Sequence, residues 1–219
     1  MKKTTKAIKK FIDKNGSYLL AEEVWERILC SIRGYFLGKS LKTRSPKIGS
    51  GYYIRGVSNI SIGNGFRAGK FLWLEAVTSY NDQSFCPQII IGDRVQVHHW
   101  VHIAATNSVE IGEDCLLGSR ILITDHGHGV YSSLLPQMDH PPASRQLDAN
   151  RRVKIGKNVW LGDGVVILPD VEIGEGAVIG ANSVVCKDIP QYAVAAGVPA
   201  RVIKQFDPDT HAWIFPQQD

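Results

Sequence analysis

The chain has 219 residues, a formal net charge of +4 and 21% charged residues. It is long enough for one sizeable core. Its lysines are not interleaved with aromatics, so nucleic acid is not an expected partner. No apolar run approaches the length of a membrane span, and no apolar segment follows the basic start MKKTTKAIKK, so a secretory signal is not expected. Cys30, Cys86, Cys115 and Cys186 show no CxxC or paired spacing, which fits reduced thiols in a cytoplasmic protein.

Residues 1–45 form an N-terminal helical segment. Its clearest stretch is Ala21–Leu37, where Val24, Ile28, Leu29, Ile32, Tyr35 and Phe36 share a face expected to pack on the body of the protein or a neighbouring subunit. Gly34 and Gly38 are expected to weaken this helix. Lys2, Lys3, Lys6, Lys9, Lys10 and Lys14, with Lys39, Lys42, Arg44 and Lys47, read as a solvated face; contact with an anionic membrane surface or a lipid-linked substrate is the sharper alternative.

Residues 46–206 follow a different rule. From Ile155 to Pro190 the chain reads IGKNVW, LGDGVV, ILPDVE, IGEGAV, IGANSV, VCKDIP. Aliphatics recur at Ile155, Leu161, Ile167, Ile173, Ile179 and Val185, and smaller or aliphatic residues at Val159, Val165, Val171, Ala177, Ser183 and Ile189. A helix needs spacings of three and four and a strand needs two, whereas a period of six fits a parallel β-helix with three hexapeptides per coil. The expected class is all-β: a prism of about six coils, ~30 Å long at the usual strand spacing. Glycine in the second slot suits a corner needing positive φ or close backbone approach. The repeat begins irregularly near Ile48 and slips by two residues at Val109–Glu110. It breaks at 78–88 and, at greater length, at 125–152. Long loops inside a regular solenoid carry function more often than not. Residues 207–219 are expected to form a C-terminal helix and tail, with Asp207 or Asp209 as N-cap.

The longer break opens with ITDHGHGVYSS, placing His126 and His128 where the last regular strand leaves the prism. A neutral imidazole there can take a proton from an attacking hydroxyl. The repeat, this loop and the ending VWLGDGVVILPDVEIGEGAVIGANSVVCKDIPQYAVAAGVPARVIK resemble the hexapeptide-repeat acyltransferases. The branch is that of the galactoside, maltose and xenobiotic O-acetyltransferases and the O-acetyltransferases of bacterial surface polysaccharides. The resemblance covers roughly residues 50–206. It implies a homotrimer of left-handed β-helices, acetyl-CoA bound between subunits, and no metal. Direct transfer follows, with a histidine base and a backbone amide for the oxyanion.

Counting seventeen residues from Ile111 places the family's base at His128, with His126 as runner-up. On the donor side the resemblance implies Trp160, Asp163, Ala181, Cys186, Lys187, Arg201 and Lys204, the two cations after the VPA turn meeting phosphates. Cys186 and Lys187 stand where the galactoside enzymes have Thr-Lys, so contact there runs through the backbone. For the acceptor, His98 replaces an Asn of the galactoside enzymes, and His99, Trp100 and Asp125 join it as candidates. In a strand, His98 and Trp100 would share one side and His99 and Val101 the other. These implications add up to a cytoplasmic acetyl-CoA-dependent sugar O-acetyltransferase of lipopolysaccharide, capsule or exopolysaccharide synthesis, and the basic, amphipathic N-terminal 40 residues point to carbohydrate assembled near the inner face of the cytoplasmic membrane. A xenobiotic acetyltransferase is the alternative within the class. A noncatalytic scaffold, or a zinc site like that of the γ-type carbonic anhydrases, is the alternative outside it. The scaffold leaves the long loop without a purpose, and the spacing of histidines required for zinc is missing.

Overall fold

The computed structural model describes residues 13–14, 16–44, 46–131 and 139–215. Lys2, Lys3, Lys6, Lys9, Lys10 and the middle of the long loop lie outside the described residues. The body is a left-handed parallel β-helix whose short strands stack into three walls. The first wall runs from Lys47–Ile48 through Arg67–Ala68, Gln96–Val97, Leu116–Leu117, Trp160–Leu161 and Val178–Ile179 to Ala193–Gly197. The second holds Tyr53–Arg55, Trp73–Ala76, His102–Ala105, Leu122–Thr124, Val166–Ile167 and Val184–Val185. The third holds Ile60–Ile62, Gln88–Ile91, Ser108–Ile111, Arg152–Ile155 and Val171–Ile173.

Both recurring positions of the hexapeptide point into the prism. Ile155, Leu161, Ile167, Ile173, Ile179 and Val185 are buried, as are Val159, Val165, Val171, Ala177, Ser183 and Ile189. Each fully buried Ile, Leu or Val stabilises the fold by roughly 1.5–3 kcal/mol. Ser183, the polar exception, donates to the Gly180 carbonyl at 2.7 Å and accepts from the Gly197 amide at 3.1 Å. The second-slot glycines are needed for close approach alone. A Cβ on Gly162 would sit 2.7 Å from the Ala181 amide nitrogen, yet Gly162 is not among the positive-φ residues. The left-handed position falls two residues later, at Phe71, Trp100, Arg120 and Asn182 along one corner and at Arg94, Asp114 and Asn158 along another.

At the two ends the structure differs from expectation: the apolar face of α1 is not the one that packs on the prism, and antiparallel strands stand where a helix was expected. Helix α1, Ser17–Ser40, runs straight through Gly34 and Gly38, which are its buried contact points with the first coil. Two glycines four apart let the helix backbone approach the prism. Leu37 packs beside them, and the Cys30 thiol donates to the Ile48 carbonyl at 3.0 Å. The face expected to pack, Val24, Ile28, Ile32, Tyr35 and Phe36, therefore points outward, with Leu29 half-buried at its edge. At the other end no C-terminal helix forms among the described residues. Ala200–Asp207 folds back on Ala193–Gly197 and forward onto Ala212–Ile214 as antiparallel strands. The Asp207 carboxylate accepts from the Asp209 amide at 2.9 Å and the Thr210 hydroxyl at 2.7 Å, closing a turn rather than capping a helix.

Candidate active site

The corner between the second and third walls is where the chain departs from the repeat. Ile103 and Ile167 occupy equivalent inward positions of the second wall, and Val109 and Val171 of the third. Ile103 and Val109 are six positions apart in sequence where Ile167 and Val171 are four apart, so the slip seen at Val109–Glu110 is two residues inserted at Thr106–Asn107. One coil before and one coil after this corner, the two long breaks project from the same edge. The first contains the hairpin Ser79–Tyr80 with Gln83–Ser84; the second contains Gly127–His128 paired with Leu147–Asp148. They clasp each other over the corner. Tyr80 Oη donates to the Ala143 carbonyl at 2.7 Å, and Gln83 both accepts from the Leu147 amide at 2.6 Å and donates to its carbonyl at 3.2 Å.

Beneath this clasp lies Asp125, 0% exposed. One carboxylate oxygen accepts from the Thr106 amide at 2.8 Å and the Thr106 hydroxyl at 3.1 Å; the other accepts from the Asn107 amide at 2.8 Å. The first oxygen also lies 2.9 Å from His126 Nδ1. Burial works against the charge of Asp125, but the hydrogen bonds from His126, Thr106 and Asn107 outweigh it and hold the carboxyl below the usual carboxylate range. With both oxygens engaged and no exposed surface, Asp125 cannot touch a sugar, so its candidate acceptor role gives way to an orienting one.

His126 is thereby fixed. Its Nδ1 faces the Asp125 carboxylate and, at 3.3 Å, the Thr124 hydroxyl. No hydrogen bond among the described residues uses Nε2. His128, two residues on, is exposed, and among the described residues its ring meets only that of Tyr80, at 5.3 Å between centroids and an interplanar angle of 77°.

The outer face of the second wall leads from this corner across a stripe that local spacing does not reveal. Register aligns Tyr53, Trp73 and His102 in successive strands. The Trp73 and His102 rings stack at 4.1 Å, and Tyr53 meets Trp73 edge-on at 5.3 Å. Glu75, in the neighbouring column, accepts from Trp73 Nε1 at 3.1 Å and lies 3.6 Å from Arg55. His102 Nε2 is buried with no partner among the described residues. Burial, aided by nearby His126 and opposed by Glu75, lowers the proton affinity of His102.

The other candidates lie at the far edge of this wall. His98, His99 and Trp100 form a corner, not a strand, so the expected alternation does not hold and all three are exposed. His99 Nδ1 accepts from the Lys70 amide at 2.8 Å, as Asp163 accepts from the Ser119 amide at 2.5 Å. Both side chains tie one layer to the next. Trp100 stacks on Phe71 at 3.9 Å. His99, Trp100, Ser119, Arg120 and Asp163 line an open groove of about 570 Å³. Ala181 follows Asp163 one layer down, against Gly162. Trp160, Val178, Val194 and Lys204 are successive partners across the first wall, and Arg201 pairs with Ala196. Arg201 is exposed and donates to the Ala200 carbonyl at 3.0 Å; Lys204 Nζ lies 4.3 Å from the Trp213 ring centroid. Cys186 and Lys187, both exposed, fall instead on the corner that carries His126. Within one chain the donor candidates thus divide between two edges of the second wall. All four cysteines are free thiols, and burial pushes Cys115 up to about 11.

The family described as bacterial transferase hexapeptide (six repeats) matches residues 152–187. Over 163 residues the chain is 42% identical to the putative lipopolysaccharide biosynthesis O-acetyl transferase WbbJ of Escherichia coli K12, covering 74% of this chain and 79% of that protein. It is 36% identical over 146 residues to the galactoside O-acetyltransferase of the same organism, covering 65% of this chain and 66% of the relative. A solved galactoside acetyltransferase in complex with coenzyme A superposes with a TM-score of 0.50 at 26% identity, covering 84% of this chain and 75% of that one. The N-acyltransferase AntD from Bacillus cereus, in complex with dTDP and 3-hydroxybutyryl-CoA, superposes with a TM-score of 0.60 at 23% identity, covering 77% and 84%. This last likeness bears on the fold alone.

Proposed function

Because the chain belongs to the hexapeptide-repeat O-acetyltransferases and is an acyltransferase, we propose that it moves an acetyl group from acetyl-CoA to a sugar hydroxyl in bacterial surface-polysaccharide synthesis. The likeness to WbbJ supports lipopolysaccharide as the acceptor class. The observation that carries the chemistry is the imidazole of His126, held at Nδ1 by a buried carboxylate and with no hydrogen bond at Nε2 among the described residues.

His126 Nε2 takes the proton of the acceptor hydroxyl as its oxygen attacks the thioester carbonyl, and then returns that proton to the departing thiolate. Asp125 keeps the imidazole in the tautomer that carries its hydrogen on Nδ1 and stabilises the imidazolium. This geometry favours His126 over His128, the position that counting from Ile111 selects. The exposed Arg201 and half-buried Lys204 suit the phosphates of the donor, and Trp160, Asp163 and Ala181 supply the wall and corner along which it lies. Donor groove and base sit at opposite edges of one wall, which fits an active site completed by a neighbouring subunit in a trimer. The stripe Tyr53–Trp73–His102 offers ring faces for a sugar, with Glu75 and Arg55 beside it for hydroxyls.

The test is mass spectrometry of the surface glycan from cells with the wild-type protein, with His126→Ala and with no protein. Loss of the same acetyl groups in the last two supports the proposal. Acetylation that persists in His126→Ala and disappears in His128→Ala moves the base to His128. A glycan unchanged by removing the protein overturns the acceptor class.

A further inference from the structure

The outward face of α1 has no partner in the described chain. Trp25, Ile28, Ile32, Tyr35 and Phe36, with Val24 beside them, recur at helical spacing and are between 45% and 65% exposed. The stripe extends for about 18 Å along the helix. Lys39 is the one charged residue within it, its Nζ 4.7 Å from the Tyr35 ring centroid. The opposite face is already used, docked through Gly34 and Gly38, so the helix cannot roll its apolar side inward. An exposed apolar face of this size calls for an occupant.

Charge identifies which occupant. Residues 1–74 carry fifteen Lys and Arg against four Asp and Glu, whereas residues 75–219 carry ten against seventeen. No acidic residue occurs between Glu26 and Glu75. The molecule is therefore polarised: α1 balances Glu22, Glu23 and Glu26 against Arg27, Arg33 and Lys39, the first coils it packs on (residues 41–74) carry six cations and no acid, and the remainder is anionic. A second copy docked face to face through α1 would bring two cationic regions together. An anionic lipid surface takes both features at once, with the apolar stripe entering the headgroup–acyl boundary and lysines on its flanks. No helix among the described residues is long and apolar enough to cross a bilayer, so the contact is with one leaflet. We infer that α1 is a membrane-surface helix that holds the β-helix against an anionic leaflet.

The experiment is vesicle flotation of the full-length protein with liposomes of 30% phosphatidylglycerol in phosphatidylcholine, and with phosphatidylcholine alone. It is repeated with Trp25→Ser/Ile28→Ser/Ile32→Ser. Thermal melting and light scattering of this variant check that its fold and assembly are retained. The wild type is expected to float with the anionic vesicles and to be released as salt rises. The triple substitution is expected to weaken partitioning about a hundredfold. Failure of the wild type to float with anionic vesicles overturns the inference. So does equal flotation of the triple variant, or flotation that ignores lipid charge. A self-association that the triple substitution abolishes, without vesicle binding, assigns the face to a second copy instead. Flotation needs neither donor nor acceptor, so it stands or falls apart from the proposed reaction.

Discussion

The two edges of the second wall are built from opposite rules. At the edge shared with the first wall, Gly49, Gly69, Gly118, Gly162 and Gly180 bring each corner against the layer below, leaving 2.4–2.9 Å for the nearest atom to a Cβ. The edge between the third and first walls is stacked the same way by Gly63, Gly92, Gly112, Gly156 and Gly174. Corners packed so tightly cannot absorb extra chain without separating the layers. Beyond the first coil, where Gly56 lies against the Ala76 carbonyl, the edge between the second and third walls lacks that stack. There the coil grows by two residues at Thr106–Asn107 and by the long breaks on either side. The difference teaches where a solenoid can carry chemistry: where its layers are not locked by backbone contact, and where a buried carboxylate replaces the glycines as the fastening.

The strongest way to break this comparison is to remove the imidazole fixed to that fastening. His126→Ala should lower acetyl transfer by about 10²–10⁴-fold with the melting temperature preserved. It is followed as CoA release in the presence of surface-glycan extract. His128→Ala should change it by less than about tenfold, because an exposed side chain that meets only the Tyr80 ring among the described residues is not a fixed base. The reverse ranking would separate the buried carboxylate from the chemistry.

Asp125→Asn strikes at the fastening itself. An amide nitrogen would face the Thr106 or Asn107 amides, leaving buried donors opposed, at a cost of about 2–4 kcal/mol of stability by denaturant titration. Transfer should fall as well, since the neutral side chain no longer stabilises the imidazolium. A variant as stable as wild type would mean that the clasp of Tyr80 and Gln83 on the long loop holds the corner unaided.

The comparison is sharpened by adding one methyl group to each edge. Gly162→Ala forces a Cβ to within 2.7 Å of the Ala181 amide and should destabilise by roughly 1–3 kcal/mol. Gly127→Ala, at the other edge, has nothing within 4 Å of its Cβ and should stay within about 0.5 kcal/mol of wild type. Equal effects in chemical denaturation would remove the distinction between locked and open corners.

The period of six was sufficient to recover the prism, because each inward position repeats in every coil and burial there leaves no alternative register. The features that the sequence does not show depend on contacts that are not periodic. His102 joins Trp73 and His126 only through the register of strands some twenty to thirty residues apart. A count along the chain ranks His128 above His126, since counting cannot sense that Asp125 is buried and turned toward its neighbour. The α1 pattern revealed an apolar face but not its direction, which Gly34 and Gly38 decided by being small. Asp207 was a plausible helix cap because an aspartate that accepts from following residues looks alike in sequence at a helix start and in a hairpin turn.

The smallest expected effect concerns pH, and it again separates wall from corner. His102 has its proton affinity lowered by burial and by His126 against the pull of Glu75, so the unfolded chain takes up its proton first. Stability from this group is full above the unfolded value of about 6.5 and falls as pH drops below it toward the folded value. Asp125 is also depressed, but its unfolded reference is about 3.9, so its contribution persists through mildly acidic pH and is lost only as pH falls through its folded value. His102→Phe keeps a ring against Trp73 and removes the unpartnered Nε2, which should flatten the upper limb of the stability curve and leave the acid limb in place. Denaturant midpoints measured from pH 8 to pH 3 for both proteins provide the check. Parallel curves between pH 7 and 5 would show that His102 does not titrate differently in the folded wall and in the unfolded chain.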